Sequence, residues 1–236
     1  MPNWCQNRLV VRGDEQRVKE FDQAFRGRPA LFPPQEFELQ GRTMEDVAAE
    51  QKKKWEATEP SYCFNALYPV PEEVLKVGYS ADRKSGKTMD ELMRDLFDPE
   101  KWVDGYSWCV SHYGTKWDIF GNVHYAEVED GLAEYDFDTA WSPPCPWLEK
   151  VSRDWPDLSF ELVYYEGGIG FAGWFVCEDG EVVDDTQVEG RDALQEFVLD
   201  AFGFDPYEGM DDEEDDEDGS TDVHVESGGQ DSQGSV

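Results

Sequence analysis

Basic residues are scarce in this 236-residue chain: 20 Lys and Arg stand against 54 Asp and Glu, a formal net charge of -34. That shortage argues against direct binding to nucleic acid, where affinity comes mainly from neutralising phosphates. It argues equally against an anionic membrane surface. Histidine is scarcer still. The three residues His112, His124 and His224 form neither H-x-x-x-H nor H-E-x-x-H, so no metal site is expected. The five cysteines (Cys5, Cys63, Cys109, Cys145 and Cys177) are scattered, odd in number and without a C-x-x-C pair. This argues against a disulfide scaffold, a zinc ribbon or an iron–sulfur cluster, and small buried apolar side chains are the expectation. No cofactor is expected either. Long apolar runs are missing: no stretch approaches the ~18 residues of a membrane span. The opening Met-Pro-Asn-Trp-Cys-Gln-Asn-Arg is too polar for a signal peptide, so a cytoplasmic location is expected.

What is present is enough to fold. Hydrophobic residues make up 39% and aromatic residues 14%, sufficient for a real core. At ~100–200 residues per domain, the length predicts one domain with additions. The charge is unevenly placed. Residues 1–117 hold 20 acids and 17 bases, whereas 118–207 hold 22 acids and only Lys150, Arg153 and Arg191. Residues 208–236 hold 12 acids and no base, including the unbroken run Asp211 to Asp218. Like charges repel, and no apolar periodicity opposes them, so 206–236 is read as a disordered acidic tail following a domain of residues 1–205. The tail suits solubility in general, or tethering of a basic partner.

Periodicity then places elements. Asn7–Arg12 predicts a strand, and Asp14 an N-cap for a helix through Val18, Phe21 and Phe25, closed by Gly27. Residues 29–40 are Pro-rich and irregular. Thr43-Met-Glu-Asp46 resembles a capping box opening a helix toward Trp55, with Lys52-Lys53-Lys54 on its solvated face. Ser61–Tyr68 reads as extended, and 88–97 as a helix with an apolar stripe. Strands are predicted at 122–129 and 134–141, joined by the hairpin signal Asp130-Gly131. A helix from about Pro146 through Trp147 and Val151 stops at Pro156. Strands at 159–165 and 171–177 flank the turn Gly167–Gly170, and 191–202 is an amphipathic helix. With 29–120 set aside as an elaborated insertion, the order is strand, helix, strand, strand, helix, strand. That is the split βαβ, or ferredoxin-like, α+β order: an antiparallel sheet with helices on one face.

Five blocks carry a resemblance: MPNWCQNRLVVRG at the start, FNALYPVPEE (64–73), YGTKWD (113–118), FDTAWSPP (137–144) and YYEGGIGFAGW (164–174). In this order they resemble the YubB ferredoxin-like proteins of phages and conjugative plasmids. The resemblance implies a ferredoxin-like fold and a home in a mobile genetic element. It implies no reaction and no catalytic residues, and "ferredoxin" here describes chain topology, not a cluster.

The search for chemistry leaves two candidate binding features. Lys116, Trp117 and Asp118 form a loop where a lone cation and an indole meet the acidic half. They suit either an ion pair over a core tryptophan or a pocket in which Lys116 binds an anion against Trp117. Glu134, Asp136 and Asp138 share one strand face at ~7 Å spacing. They suit either a solvated sheet face or a row of charge imitating a nucleic-acid backbone. Cys109 and His112 lie close together in a stretch that reads as extended or irregular, and lack a third orienting group for nucleophilic catalysis. The Gly167–Gly170 segment joins two strands, where a phosphate-binding loop would lead from a strand into a helix. No catalytic residue is therefore assigned. The first expectation is a non-catalytic module that binds a protein partner with a basic surface, without direct nucleic-acid or membrane binding. A narrower version is a nucleic-acid mimic acting on a DNA-binding or defence protein. An enzyme centred on Lys116–Asp118 is the third.

Overall fold

A strand whose odd positions are Cys5, Asn7, Leu9 and Val11 must bury that side, and this strand, β1 (Trp4–Arg12), lies at the centre of the molecule. The computed structural model describes residues 3–80, 104–119 and 123–208. Residue 88–97, expected as a helix, and most of the acidic tail fall outside them. Helix α1 (Glu15–Phe25) follows β1, its first turn capped by the Asp14 carboxylate, which accepts from the N–H of Gln16 and Arg17. Val18, Phe21 and Phe25 form its buried face, as expected. Gly27 does not end this helix through a left-handed turn. It sits in the short strand β2 (Arg26–Gly27), and a Cβ there would come within 2.9 Å of the Ala66 side chain. Close approach rather than backbone freedom requires glycine.

Between α1 and the next long strand lies the insertion. It contains α2 (Glu36–Leu39), α3 (Met44–Ala57), β3 (Ser61–Tyr62, paired with β2), α4 (Phe64–Leu67), α5 (Glu72–Val77) and α6 (Gly105–His112). Two expectations are corrected here. Ser61–Tyr68 is extended only at its start, because Phe64 to Leu67 wind into a helical turn. The stretch Trp108–His112 is helical rather than irregular, and Asp104 caps it by accepting from the Ser107 N–H at 2.9 Å.

The second half is regular: β4 (Val123–Glu129), β5 (Leu132–Ala140), α7 (Cys145–Asp154), β6 (Ser159–Glu166), β7 (Phe171–Glu178), β8 (Glu181–Gln187) and α8 (Arg191–Phe202). Asp130 and Gly131 both take positive φ, 37° and 87°, the geometry a two-residue hairpin requires. A Cβ on Gly131 would meet the Gly13 carbonyl oxygen at 2.6 Å, so this turn admits no side chain. Asp179-Gly180 repeats the device and folds β8 back on β7, a strand the sequence reading lacks.

The sheet order is β4-β5-β1-β6-β7-β8, and each neighbouring pair is antiparallel. Its first four strands, with α1 and α7, reproduce the ferredoxin-like arrangement, and β7 and β8 extend it at one edge. The main core lies between the sheet and the layer holding α1 and α7. Phe21, Phe25, Trp147, Leu148 and Val151 pack there on Leu9, Tyr135, Phe137, Phe160 and Phe175. The terminal helix α8 takes the opposite face. Phe197 meets Trp174 of β7 with ring centroids 5.7 Å apart. Arg8 of β1 donates to the Ala201 carbonyl at 2.8 Å and lies over the Phe202 ring. Leu194 and Val198 of α8, with Val10, Tyr165 and Ala172 of the sheet, are buried outside the main core cluster. The sheet is therefore sandwiched over its centre, and the helices are not confined to one face.

Candidate binding surfaces

The loop Lys116–Asp118 divides its side chains between interior and surface. Asp118 turns inward. Its carboxylate accepts the N–H groups of Phe64 at 2.7 Å, Asn65 at 3.0 Å and Ile119 at 2.8 Å. The first two are orphan donors at the start of α4, whose own N-cap, Cys63, offers no side-chain acceptor. Burial pushes the Asp118 carboxyl up to about 6, against the three hydrogen bonds that favour its ionised form. Lys116 turns outward. Its ammonium lies 4.6 Å from the Trp117 ring centroid and 4.7 Å from that of Trp141. It forms no ion pair among the described residues. The sequence offered an ion pair or an anion pocket, and the structure shows instead a cation held between two indoles. Trp141 reaches this position with φ of 76°, a left-handed backbone that costs about 1–2 kcal/mol in an L-residue. Its N–H donates to the Asn3 carbonyl at 3.0 Å, and Trp4 meets Trp117 edge-on.

The five sequence blocks that carry the family resemblance are linked at this end of the sheet. Asp118 ties YGTKWD to FNAL. Lys116 ties it to the tryptophan of FDTAWSPP, and Trp4 and Asn3 bring in the start of β1. The Asn3 side chain lies against Gly168 in the β6–β7 turn. Within that turn Glu166 is fully buried, and its two carboxylate oxygens accept the N–H of Gly168 at 2.8 Å and of Ile169 at 2.7 Å. The glycine-rich turn does cradle a carboxyl group, and that group belongs to its own glutamate.

Glu134, Asp136 and Asp138 do share the face of β5 opposite the main core, as the alternation predicts, but they are internally bridged. Arg8 grips Asp136 through Nε at 2.8 Å and Nη2 at 2.9 Å, and approaches Glu134 at 3.3 Å. Asp138 pairs with His124 at 2.7 Å. The side chains of Glu134, Asp136 and Asp138 are 32%, 27% and 24% exposed. The row is thus engaged by side chains of its own sheet, with one guanidinium shared by two of its three carboxylates.

Cys109 and His112 sit on α6 with different surroundings. Cys109 is buried in the core, and desolvation raises its thiol far above the ordinary range. His112 stacks on Trp108, with centroids 4.3 Å apart, and its Nδ1 lies 2.9 Å from the Trp108 carbonyl. Desolvation lowers the imidazole pKa. A thiol held protonated and a ring engaged by its own helix do not form an activated nucleophile. Among the described residues, no three His, Cys, Asp or Glu side chains gather in a group able to hold a metal, and no helix is long and apolar enough to cross a membrane.

A further surface was not apparent from the sequence. Beside α8, a groove of about 760 Å³ is lined by Trp174, Val188, Ala193, Phe197 and Leu199, with Glu196 and Asp200 at its margin. Leu199 is 54% exposed. The Trp174 indole, part of the groove lining, donates its N–H to Asp184 of β8 at 2.7 Å. The signal was present in α8: Leu199 falls outside the stripe of Leu194, Val198 and Ala201, so one leucine had no core to enter.

The strand order and helix layer define a ferredoxin-like domain with an added hairpin and a terminal helix on the second face. Residues 120–223 match the family model described as the ferredoxin-like domain in Api92-like protein. The uncharacterised protein YubB of Escherichia coli (strain K12) is 34% identical over 80 residues, 34% of this chain and 54% of YubB. The similarity thus spans about half of YubB's length. The solved structure of protein api92 from Yersinia pseudotuberculosis aligns at 12% identity and a TM-score of 0.43, covering 80% of this chain and 99% of that one.

Proposed function

We propose that this chain is a non-catalytic protein-binding module, an accessory protein of a phage or plasmid, whose partner presents a basic surface. The observation that carries this reading is the makeup of the β8–α8 region. Residues 178–205 hold ten acids against Arg191 alone, and they border an exposed apolar groove. Apolar area supplies affinity at such a surface, and the surrounding charge steers a basic partner and sets salt sensitivity. The same charge suits imitation of nucleic acid, but the acids of β5 are bridged by Arg8 and His124, which favours the protein-partner reading. An enzyme around Lys116–Asp118 lacks support for a similar reason: the carboxylate caps a helix and the ammonium lies against two indoles.

The test is purification of the tagged full chain, and of a chain ending at Phe204, from a bacterial host at low and at physiological salt. A stoichiometric protein with a basic surface, retained at physiological salt and released as ionic strength rises further, is the expected result. Displacement of that protein by added DNA would shift the reading to mimicry. Absence of any partner at either salt with both chains would overturn it.

A further inference from the structure

We infer that the groove beside α8 is a docking site for a basic amphipathic helix of a protein partner. This rests on the binding-module reading and gives it a location. Three observations converge on the occupant. The floor is apolar and aromatic: the Trp174 ring packs on Phe197 and donates its N–H to Asp184. Leu199 stands 54% exposed at the rim, apolar area that the fold leaves uncovered. Glu196 and Asp200 lie one helical turn apart on the same wall. A helix presenting apolar residues at i, i+3, i+4 and i+7 fills such a floor, and lysine or arginine on its flanks meets both carboxylates. Charge complementarity favours a basic occupant over an acid-rich segment such as 208–236, which has 12 acids and no base. It also disfavours a second copy of the groove, whose margins repeat the same sign.

The test uses the full chain and a synthetic 14-residue leucine–lysine helix with leucines at this spacing. The controls are the same peptide with glutamate for lysine and one with the leucines scrambled. Binding is followed at physiological salt by titration and by the indole N–H resonance of Trp174. The lysine helix is expected to bind and to shift that resonance, the scrambled peptide to bind about tenfold more weakly, and the glutamate peptide not to bind. Leu199→Ser, at an exposed position, is expected to weaken binding about fivefold, and Glu196→Lys with Asp200→Lys more than tenfold. Glu178→Lys with Glu181→Lys, at two exposed positions that do not line the groove, changes the net charge equally and is expected to cost less than about twofold. Equal losses from the two charge reversals, equal binding of the scrambled peptide, or an unmoved Trp174 resonance would each overturn the assignment. A natural partner still captured by the Leu199→Ser chain with unchanged affinity would place docking elsewhere and leave the binding-module reading standing.

Discussion

The carboxylate of Asp118 accepts the backbone N–H of Phe64 at 2.7 Å across 54 positions of sequence. A helix N-terminus that would ordinarily be capped by its own preceding residue is capped by a loop beyond the whole α5–α6 segment.

Removing that cap should therefore act on the fold rather than on a ligand. Asp118→Ala leaves the N–H groups of Phe64, Asn65 and Ile119 without their acceptor, and a loss of about 2–4 kcal/mol is expected from the cost of buried unsatisfied donors. Asp118→Asn keeps one acceptor oxygen and should fall between. Chemical denaturation of the three proteins measures this. An Asp118→Ala chain as stable as the parent would contradict the capping role.

The same carboxyl sets a pH dependence. Burial moves it from 3.8 to about 6 in the folded chain. The folded state thus binds the proton more tightly, and this group's contribution to stability is fully present below about pH 4 and lost as pH rises through 6. The stability difference between the parent and Asp118→Asn should shift against the parent by about 1–3 kcal/mol between pH 4 and pH 7. His112 contributes with the opposite sign, since its lowered pKa makes charging below 6.5 destabilising. Comparing the two chains at each pH removes that contribution. A difference that does not vary with pH would show that the carboxyl titrates normally.

Arg8 joins the two sides of the second sheet face, since it bridges Glu134 and Asp136 and donates to the Ala201 carbonyl in the last turn of α8. Arg8→Met should leave two half-buried carboxylates side by side and free the end of α8, at a cost of about 1–3 kcal/mol. Hydrogen exchange should rise in the last turn of α8 while the β1–β6 amides stay protected. Unchanged exchange at that turn would mean that Leu194 and Val198 hold the helix without help.

The five cysteines are free, and all but Cys145 are buried. Desolvation raises every thiol, with Cys63 and Cys145 pushed up to about 12. The folded chain at pH 7 should react with a disulfide reagent at least about a hundredfold more slowly than the unfolded chain, because the thiolate is the reacting form. Rapid labelling of Cys109 without unfolding would show that α6 opens readily.

Much of the chain was legible wherever local pattern and local chemistry agreed. Alternation marked β5, the Asp-Gly pair marked its hairpin, and the 3.6-residue stripe marked α1, α7 and α8 within a few positions. Legibility failed where one turn of helix is stabilised from elsewhere. Phe64–Leu67 has weak helical signals of its own, and its cap comes from Asp118. The helix over Trp108–His112 is marked by Asp104, but its burial on several sides hides the periodicity. β8 escaped notice because an edge strand rich in acids lacks a buried face, although Asp179-Gly180 carries the same turn chemistry as Asp130-Gly131.

Composition and order alone determined the acid excess and the antiparallel ferredoxin-like arrangement. These follow from charge counts, residue spacing and the two side-chain periods, all properties of neighbouring residues. Only the tertiary structure decided which acids are paired. Arg8 and Asp136 are 128 positions apart, and no linear pattern announces that one neutralises the other. The fates of Lys116 and Asp118, adjacent but for one tryptophan, likewise depended on packing: one found two indoles at the surface and the other a helix end in the interior. The groove beside α8 exists because the helix crosses to the second face of the sheet, and that placement is set by long-range contacts of Trp174, Arg8 and Tyr165.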